Sequence, residues 1–216
     1  DAALDSFSDI QKAINFTMTS FLTTGGIRGG SEKVDKFQPR SFNMGLSKKA
    51  FETSNGFGNI HPGEDPDLSI RLWNLGFRTK LIKEAFVYHK RRISWEKFQI
   101  QVNKFGKARP ILNSWYPQHT KITFWFPSLF LLGFVVSVLL TFVKFPYFLG
   151  LYVLYFGLLF GSSLLMNKSF KIAAYSVYAA IIQFYGYGKG FLLSFYKICG
   201  LKLEPQKAFP ELFFKQ

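Results

Sequence analysis

Two adjacent acidic residues, Glu64 and Asp65, stand at the predicted start of a helix, directly after a glycine-containing loop. Pro66 suits the first turn of a helix, and the helix dipole with its free amide groups favours an ionised carboxylate there. Such a carboxylate, placed in a cleft, can take the proton from an alcohol that attacks an electrophilic centre. The residues alone leave two interpretations. Asp65 is a general base, or it caps the helix with Glu64 as a solvated neighbour.

The helix that carries this pair belongs to a segment in which helix and strand patterns alternate. Its apolar stripe of Leu68, Leu72 and Leu75 ends at Gly76, a residue that favours helix termination. Further helices are predicted from Ser8 to Gly25, from Ser47 to Asn55 and from Ser94 through Phe105, and strands over 41–46, 77–82 and 85–89. This alternation is typical of an α/β fold, so residues 1–121 are expected to form a soluble α/β segment.

A glycine-rich stretch, Gly25–Gly30, precedes the first predicted strand. It has neither the GxGxxG nor the GxxxxGK[ST] spacing of a phosphate-binding loop. We therefore interpret it as a mobile loop of the active site.

The chain becomes apolar from Phe124 onwards. Phe124–Val143 is uncharged and, as a helix, is long enough to span about 30 Å, the thickness of the hydrocarbon layer. Phe145–Met166 is a second run of this kind, and Lys144 lies in the tight turn between the two. The sequence therefore predicts a transmembrane hairpin.

A third apolar segment, residues 172–195, completes a predicted membrane region over 122–196. It contains Gln183, Lys189 and three glycines, so it either crosses the membrane or lies at its surface. Residues 197–216 are expected to form a basic tail.

The net charge of +14 invites comparison with nucleic-acid-binding proteins. The basic surplus, however, flanks apolar segments, which is typical of a cytoplasmic membrane face and of attraction to anionic lipids. We expect membrane lipids as partners and no nucleic acid. Cys199 is the single cysteine, so an internal disulfide and a thiolate metal site are excluded.

Three segments together resemble the inverting glycosyltransferases of family 2, which have the GT-A fold. Glu64-Asp65 and the following Leu68–Phe77 match the family pattern Glu-Asp, Leu-x-x-Arg-Leu-x-x-x-Gly-Phe. Ser41–Leu46 resembles its Asn-Met-Ala-type strand, and residues 85–92 resemble the strand that returns a histidine and basic residues to the donor phosphates. The resemblance covers about residues 5–130. It implies the C-terminal half of a GT-A-type domain, followed by an α-helical membrane hairpin and a third apolar helix.

The resemblance also implies catalytic roles. Asp65 would deprotonate the acceptor hydroxyl, which attacks the anomeric carbon with inversion, and Glu64 would position the acceptor or the Asp65 loop. Arg91 and Arg92 are candidates to neutralise the leaving diphosphate, the alternative being surface charge near the membrane. His89 is either a ligand of a divalent cation, Mg²⁺ or Mn²⁺, or only hydrogen-bonded.

Acceptor contacts are expected from Asn43, Gln101 and Arg109. The last two lie where processive synthases carry a Gln-x-x-Arg-Trp motif, but no tryptophan follows Arg109. This difference favours transfer of single sugars over processive synthesis. The alternative interpretation of Gln101 and Arg109 is an amphipathic helix on the membrane surface.

Two family features are not found in the sequence: the Asp-x-Asp metal motif and the uridine-binding first half. We therefore expect the donor-binding half, with part of the metal site, to be missing, and this fragment alone to be inactive.

The expected protein is a multi-pass glycosyltransferase of hexosyltransferase type in the inner (plasma) membrane, with its catalytic part in the cytoplasm. Its donor would be a nucleotide sugar, and its acceptor a lipid-linked or cell-envelope glycan. A processive polysaccharide synthase with the same base is the first alternative. A non-enzymatic membrane scaffold or transporter subunit is the second, but the ionisable residues expected inside its spans are limited to Lys144 and Lys189, both near segment ends.

Overall fold

The computed structural model describes residues 5–25, 37–82 and 84–214. Apart from Gly25, the predicted mobile loop Gly25–Gly30 lies outside these residues. The helices are α1 (Asp9–Thr19), α2 (Phe21–Thr24), α3 (Lys48–Thr53), α4 (Glu64–Asn74), α5 (Trp95–Trp115), α6 (Phe126–Phe142), α7 (Tyr147–Asn167), α8 (Phe170–Phe195) and α9 (Pro205–Ala208).

The predicted helix starts at Ser8, Ser47 and Ser94 are confirmed, because each serine caps the first turn; α4 begins at Glu64, as predicted, after Gly63 and without a side-chain cap. The Ser8 hydroxyl accepts a hydrogen bond from the Gln11 backbone amide at 3.3 Å, and the Ser8 backbone amide donates to Gln11 Oε1 at 3.1 Å. The Ser47 and Ser94 hydroxyls accept hydrogen bonds from the Ala50 and Lys97 amides in the first turns of α3 and α5. The first helix is shorter than predicted, since Ser20 ends α1 and caps α2.

The three predicted strands are not strands in the described residues. Ser41–Asn43 forms a turn of 3₁₀ helix, and residues 77–82 and 85–89 form no strand there, although Tyr88 takes part in a single β-bridge. A strand is defined by hydrogen bonds to a neighbouring strand, and the described part of the chain provides no such neighbour. The structure described is therefore helical, and the α/β GT-A class remains a prediction.

The centre of the structure is the parallel pair of long helices α5 and α8. A Cβ atom on Gly106 of α5 would overlap the carbonyl oxygen of Tyr187, and one on Gly190 of α8 would overlap that of Asn103. The Asn103 side chain also donates to the Gly186 carbonyl at 3.0 Å. The glycines of the third apolar segment thus allow close backbone approach between the two helices.

The hairpin of α6 and α7 contacts α8 at the base of the hairpin, where α6 begins and α7 ends. Ser163 of α7 contacts Ser176 of α8 at 2.8 Å, and Ser128 of α6 donates to the Gly188 carbonyl at 3.3 Å. The far end of the hairpin is exposed and apolar; Phe142 is 82% exposed. Helix α8 therefore crosses the base of the hairpin, and the tip extends away from the other helices.

Two helical segments, Ile122–Phe142 and Tyr147–Asn167, are long and apolar enough to cross a membrane among the described residues. They coincide with the two predicted spans and, by length and composition, suggest membrane association. The possible third span, 172–195, falls on α8 and is not among these candidates. Instead α8 is buried against α1, α5, α6 and α7.

The predicted basic tail is folded where it is described. We call residues 205–214 the C-terminal strap. Phe209 and Leu212 are buried with Ile60, Ala108 and Ile111. An antiparallel bridge between Ile60 and Phe213 joins the strap to the loop before α4.

Candidate active site

Asp65 lies in the first turn of α4 and is held by the start of the 3₁₀ turn and by the residue before it. The Ser41 amide donates to Asp65 Oδ1 at 2.8 Å, and Arg40 Nη1 lies 3.9 Å from Oδ2. The Asp65 side chain is 13% exposed, compared with 44% for Arg40. Sequence analysis did not identify Arg40 as a site residue, because no local sequence pattern links Arg40 to Asp65.

Burial raises the pKa of the Asp65 carboxyl above its ordinary value. The hydrogen bonds from Ser41 oppose this rise, the neighbouring Glu64 carboxylate adds to it, and Arg40 opposes it. A carboxylate with a raised pKa is a stronger base than an ordinary aspartate. This environment suits proton abstraction better than a solvated helix cap would.

Both carboxylate oxygens of Glu64 contact groups of its own loop. Oε2 accepts a hydrogen bond from the Gly63 amide at 2.9 Å, and Oε1 lies 3.0 Å from His61 Nδ1. Gly63 has φ +131°, a conformation that strongly favours glycine. Of the two predicted roles for Glu64, positioning the Asp65 loop agrees better with these contacts than binding the acceptor.

Asp67 anchors α4 from its buried side. The Arg71 Nη2 atom lies 2.8 Å from Asp67 Oδ2, and the Tyr116 hydroxyl donates to Oδ1 at 2.6 Å. Arg71 also donates to the carbonyls of Ser54 and Gly56. Burial, and then the hydrogen bond to Asp67, raises the pKa of Tyr116 above its ordinary value. The i,i+4 spacing of Asp67 and Arg71 was a usable signal in the sequence, whereas Tyr116 had none.

Replacing Tyr116 with phenylalanine is expected to lower the free energy of unfolding by about 1–2 kcal/mol, because buried Asp67 would lose one hydrogen-bond donor. Thermal unfolding in detergent measures this change. Tyr88→Phe is the control, since Tyr88 is 63% exposed. Equal stability of the two variants would contradict a structural role for the Tyr116–Asp67 bond.

Helix α5 packs against the start of α4. A Cβ atom on Gly63 would lie 3.6 Å from that of Ala108, so α5 passes directly beside the start of α4. The next residue, Arg109, is partly buried, with its guanidinium 4.1 Å from the centre of the Phe124 ring. Burial lowers the pKa of Arg109, whereas interaction with Tyr187 raises it and nearby Arg40 lowers it.

Arg40 lies beside Asp65 and interacts electrostatically with two further arginines, Arg91 and Arg109. Burial lowers the pKa of Arg91, and the charge of Arg40 lowers it further, as it does for Arg109. Arg40 is therefore within electrostatic range of both. The Arg91 Nε atom donates to Asn15 Oδ1 at 2.9 Å, which fixes the side chain against α1. All three remain cations, because arginine is not deprotonated in proteins.

Three further predicted site residues, Asn43, Gln101 and Arg92, lie at separate places in the structure. The side-chain Nδ2 atom of Asn43 donates to the Ala85 carbonyl at 3.0 Å, which ties the 3₁₀ turn to the predicted phosphate segment. Gln101 lies two helical turns before Arg109, about 12 Å away along α5, and is not brought to the same place. Arg92 is exposed.

His89 stacks on Phe42, with ring centroids 4.2 Å apart. Burial, and then the charges of Arg91 and Arg92, lowers the pKa of His89, so its neutral imidazole is favoured. A neutral imidazole can ligate a metal. In residues 5–25, 37–82 and 84–214, however, no three His, Cys, Asp or Glu side chains form a metal site. The described residues thus do not provide a complete cation site, and the role of His89 remains a prediction.

Comparison with known proteins gives one match. No curated protein and no solved structure matches the chain significantly. The family model described as glycosyl transferase family group 2 matches residues 42–185, a range that includes Glu64, Asp65, α5 and the apolar hairpin. The predicted family is thereby confirmed. The chain belongs to glycosyl transferase family group 2, a family that transfers sugars from nucleotide-sugar donors to acceptors.

Proposed function

We propose that this protein transfers a hexose, with inversion, from a nucleotide-sugar donor to a lipid-linked or cell-envelope glycan, and that Asp65 is the general base. The observation that carries the proposal is the environment of Asp65. Its carboxylate is largely buried, its pKa is raised, and the cationic side chain of Arg40 lies close to it. That combination suits a reaction in which a hydroxyl loses a proton beside a leaving diphosphate.

The reaction proceeds as one displacement at the anomeric carbon. The acceptor oxygen forms a bond to that carbon while its proton passes to Asp65, and the bond from the anomeric carbon to the donor phosphate oxygen breaks. The electron pair of the broken bond leaves with the nucleoside diphosphate. The Ser41 amide holds Oδ1 of Asp65, and Oδ2 is the oxygen that receives the proton.

Arginine side chains neutralise the leaving diphosphate. Arg91 and Arg92 were predicted for this task, and the proximity of Arg40 to Arg91 and Arg109 supports adding Arg40. Arg109 remains a candidate for the acceptor, together with Asn43. A divalent cation, Mg²⁺ or Mn²⁺, is proposed as the cofactor of the complete protein, but no step described here depends on it.

The membrane arrangement proposed is an inner-membrane protein with its catalytic part in the cytoplasm. The two apolar helices would cross the membrane. Helix α8 would lie at the cytoplasmic surface, because it packs along α5, which carries lysines and an arginine, and crosses the base of the hairpin. This placement brings the site close to a lipid-linked acceptor.

The test is release of nucleoside diphosphate by the full-length protein in membranes, with a panel of nucleotide sugars. We expect release from one donor, stimulated by acceptor extract, and its loss when a chelator removes divalent cations. Failure of every donor with every extract would favour the alternative of a non-enzymatic scaffold or transporter subunit. Product length separates single transfer from processive synthesis.

A further inference from the structure

The loop before α4 is clamped by the C-terminal strap, residues 205–214. The His61 amide donates to the Leu212 carbonyl at 2.7 Å, and the Phe214 amide donates to Asn59 Oδ1 at 3.1 Å. The rings of His61 and Phe214 stack with centroids 5.9 Å apart. His61 therefore contacts the strap through both its backbone and its side chain.

The strap is in turn fixed to the long helices. Phe209 is buried, and the ammonium groups of Lys107 and Lys197 lie 5.4 and 5.0 Å from its ring centre. Lys107 also pairs with Glu211 at 2.7 Å. Since Lys107 belongs to α5, the strap links the loop before α4 to α5, the helix that packs against the start of α4.

His61 transmits this restraint to the acidic pair. Its Nδ1 atom must carry a proton to bond Glu64 Oε1, because a carboxylate oxygen only accepts. The Gly63 amide holds the other Glu64 oxygen, so the Glu64 side chain closes the turn from 61 to 64. The turn ends where Asp65 begins, and its geometry sets the position of the Asp65 backbone.

We propose that His61, held by the C-terminal strap, is a positioning residue that acts through Glu64 to fix the Asp65 loop. This inference rests on the proposed function of Asp65. A displaced base loses alignment with the acceptor hydroxyl without changing how tightly the substrates bind. The effect of losing the restraint therefore falls on kcat and leaves KM largely unchanged.

Two substitutions separate the hydrogen bond from the packing of the ring. His61→Phe keeps a ring for Phe214 but removes the donor to Glu64, and His61→Asn keeps a donor near the Nδ1 position. In the full-length protein in membranes, His61→Phe is expected to lower kcat about tenfold with KM for donor and acceptor within about twofold. His61→Asn is expected to restore kcat to within about threefold of the native value.

An unchanged kcat in His61→Phe, a change confined to KM, or a loss in His61→Asn equal to that in His61→Phe would each overturn the proposal. If His61→Phe does not fold, His61→Leu, which matches His61→Asn in size but has no donor for Glu64, tests the same bond and must lower kcat without raising KM. Native protein and Asp65→Asn are measured alongside. Activity that survives in Asp65→Asn refutes the base, whereas loss there with full kcat in His61→Phe refutes only the positioning role.

Discussion

Substitution of Asp65 by asparagine is expected to reduce donor- and acceptor-dependent release of nucleoside diphosphate at least about a hundredfold, the effect of losing a general base. Asparagine keeps the size of the side chain and can still accept the hydrogen bond from the Ser41 amide. It cannot accept a proton from the acceptor hydroxyl. The rate is measured with saturating donor and acceptor, so that the change reports on kcat.

The matched control is Glu52→Gln, which removes a carboxylate that is 63% exposed and pairs with Lys48 at the surface. It should leave the rate unchanged. Release that survives in Asp65→Asn at the native rate would exclude Asp65 from the chemistry while leaving the enzyme class intact.

The pH dependence of the native rate should also show that a carboxylate acts as the base. A general base acts only when deprotonated, so activity is present above its pKa and is lost as the pH falls through it. Because burial raises the pKa of Asp65, this loss should begin at a higher pH than for an ordinary aspartate. The acid limb should be absent from the residual rate of Asp65→Asn.

Gly106→Ala is expected to be the most destabilising of the substitutions considered, with a loss of about 3 kcal/mol in the free energy of unfolding. Even a methyl group there would overlap the Tyr187 carbonyl oxygen, a backbone atom that no rotamer change can move. The two long helices would have to separate, and the aligned contacts between Gly190 and Asn103 would be lost with them. Thermal unfolding in detergent, followed by intrinsic fluorescence, measures the effect.

Gly157→Ala in α7 is the control for Gly106→Ala. Among the described residues, a Cβ built on Gly157 would meet no atom within 4 Å outside the backbone of its own helix, and alanine has the higher helix propensity. It should therefore be neutral or slightly stabilising. Similar unfolding temperatures for the two variants would show that α5 and α8 do not pack as described.

The family, the helix starts and the two apolar spans could be predicted because their signals are local. Ser8, Ser47 and Ser94 cap the first turns of their helices with their own side chains, and none of these three caps depends on a distant residue. The Glu64-Asp65 pattern and the long uncharged runs are likewise continuous in sequence. Strand prediction over 41–46, 77–82 and 85–89 failed in the described residues, because a strand also needs a partner that no local pattern supplies.

By itself, the sequence determined the acidic helix start, the helix caps and the apolar hairpin, each through interactions within a few residues. Only the tertiary structure decided that Arg40 faces Asp65, that Tyr116 holds Asp67 and that the strap reaches His61. It also decided that α8 packs against α5 through glycines and is not a third candidate span. The physical reason is that these contacts join residues far apart in the chain, which only the folding of the whole chain brings together.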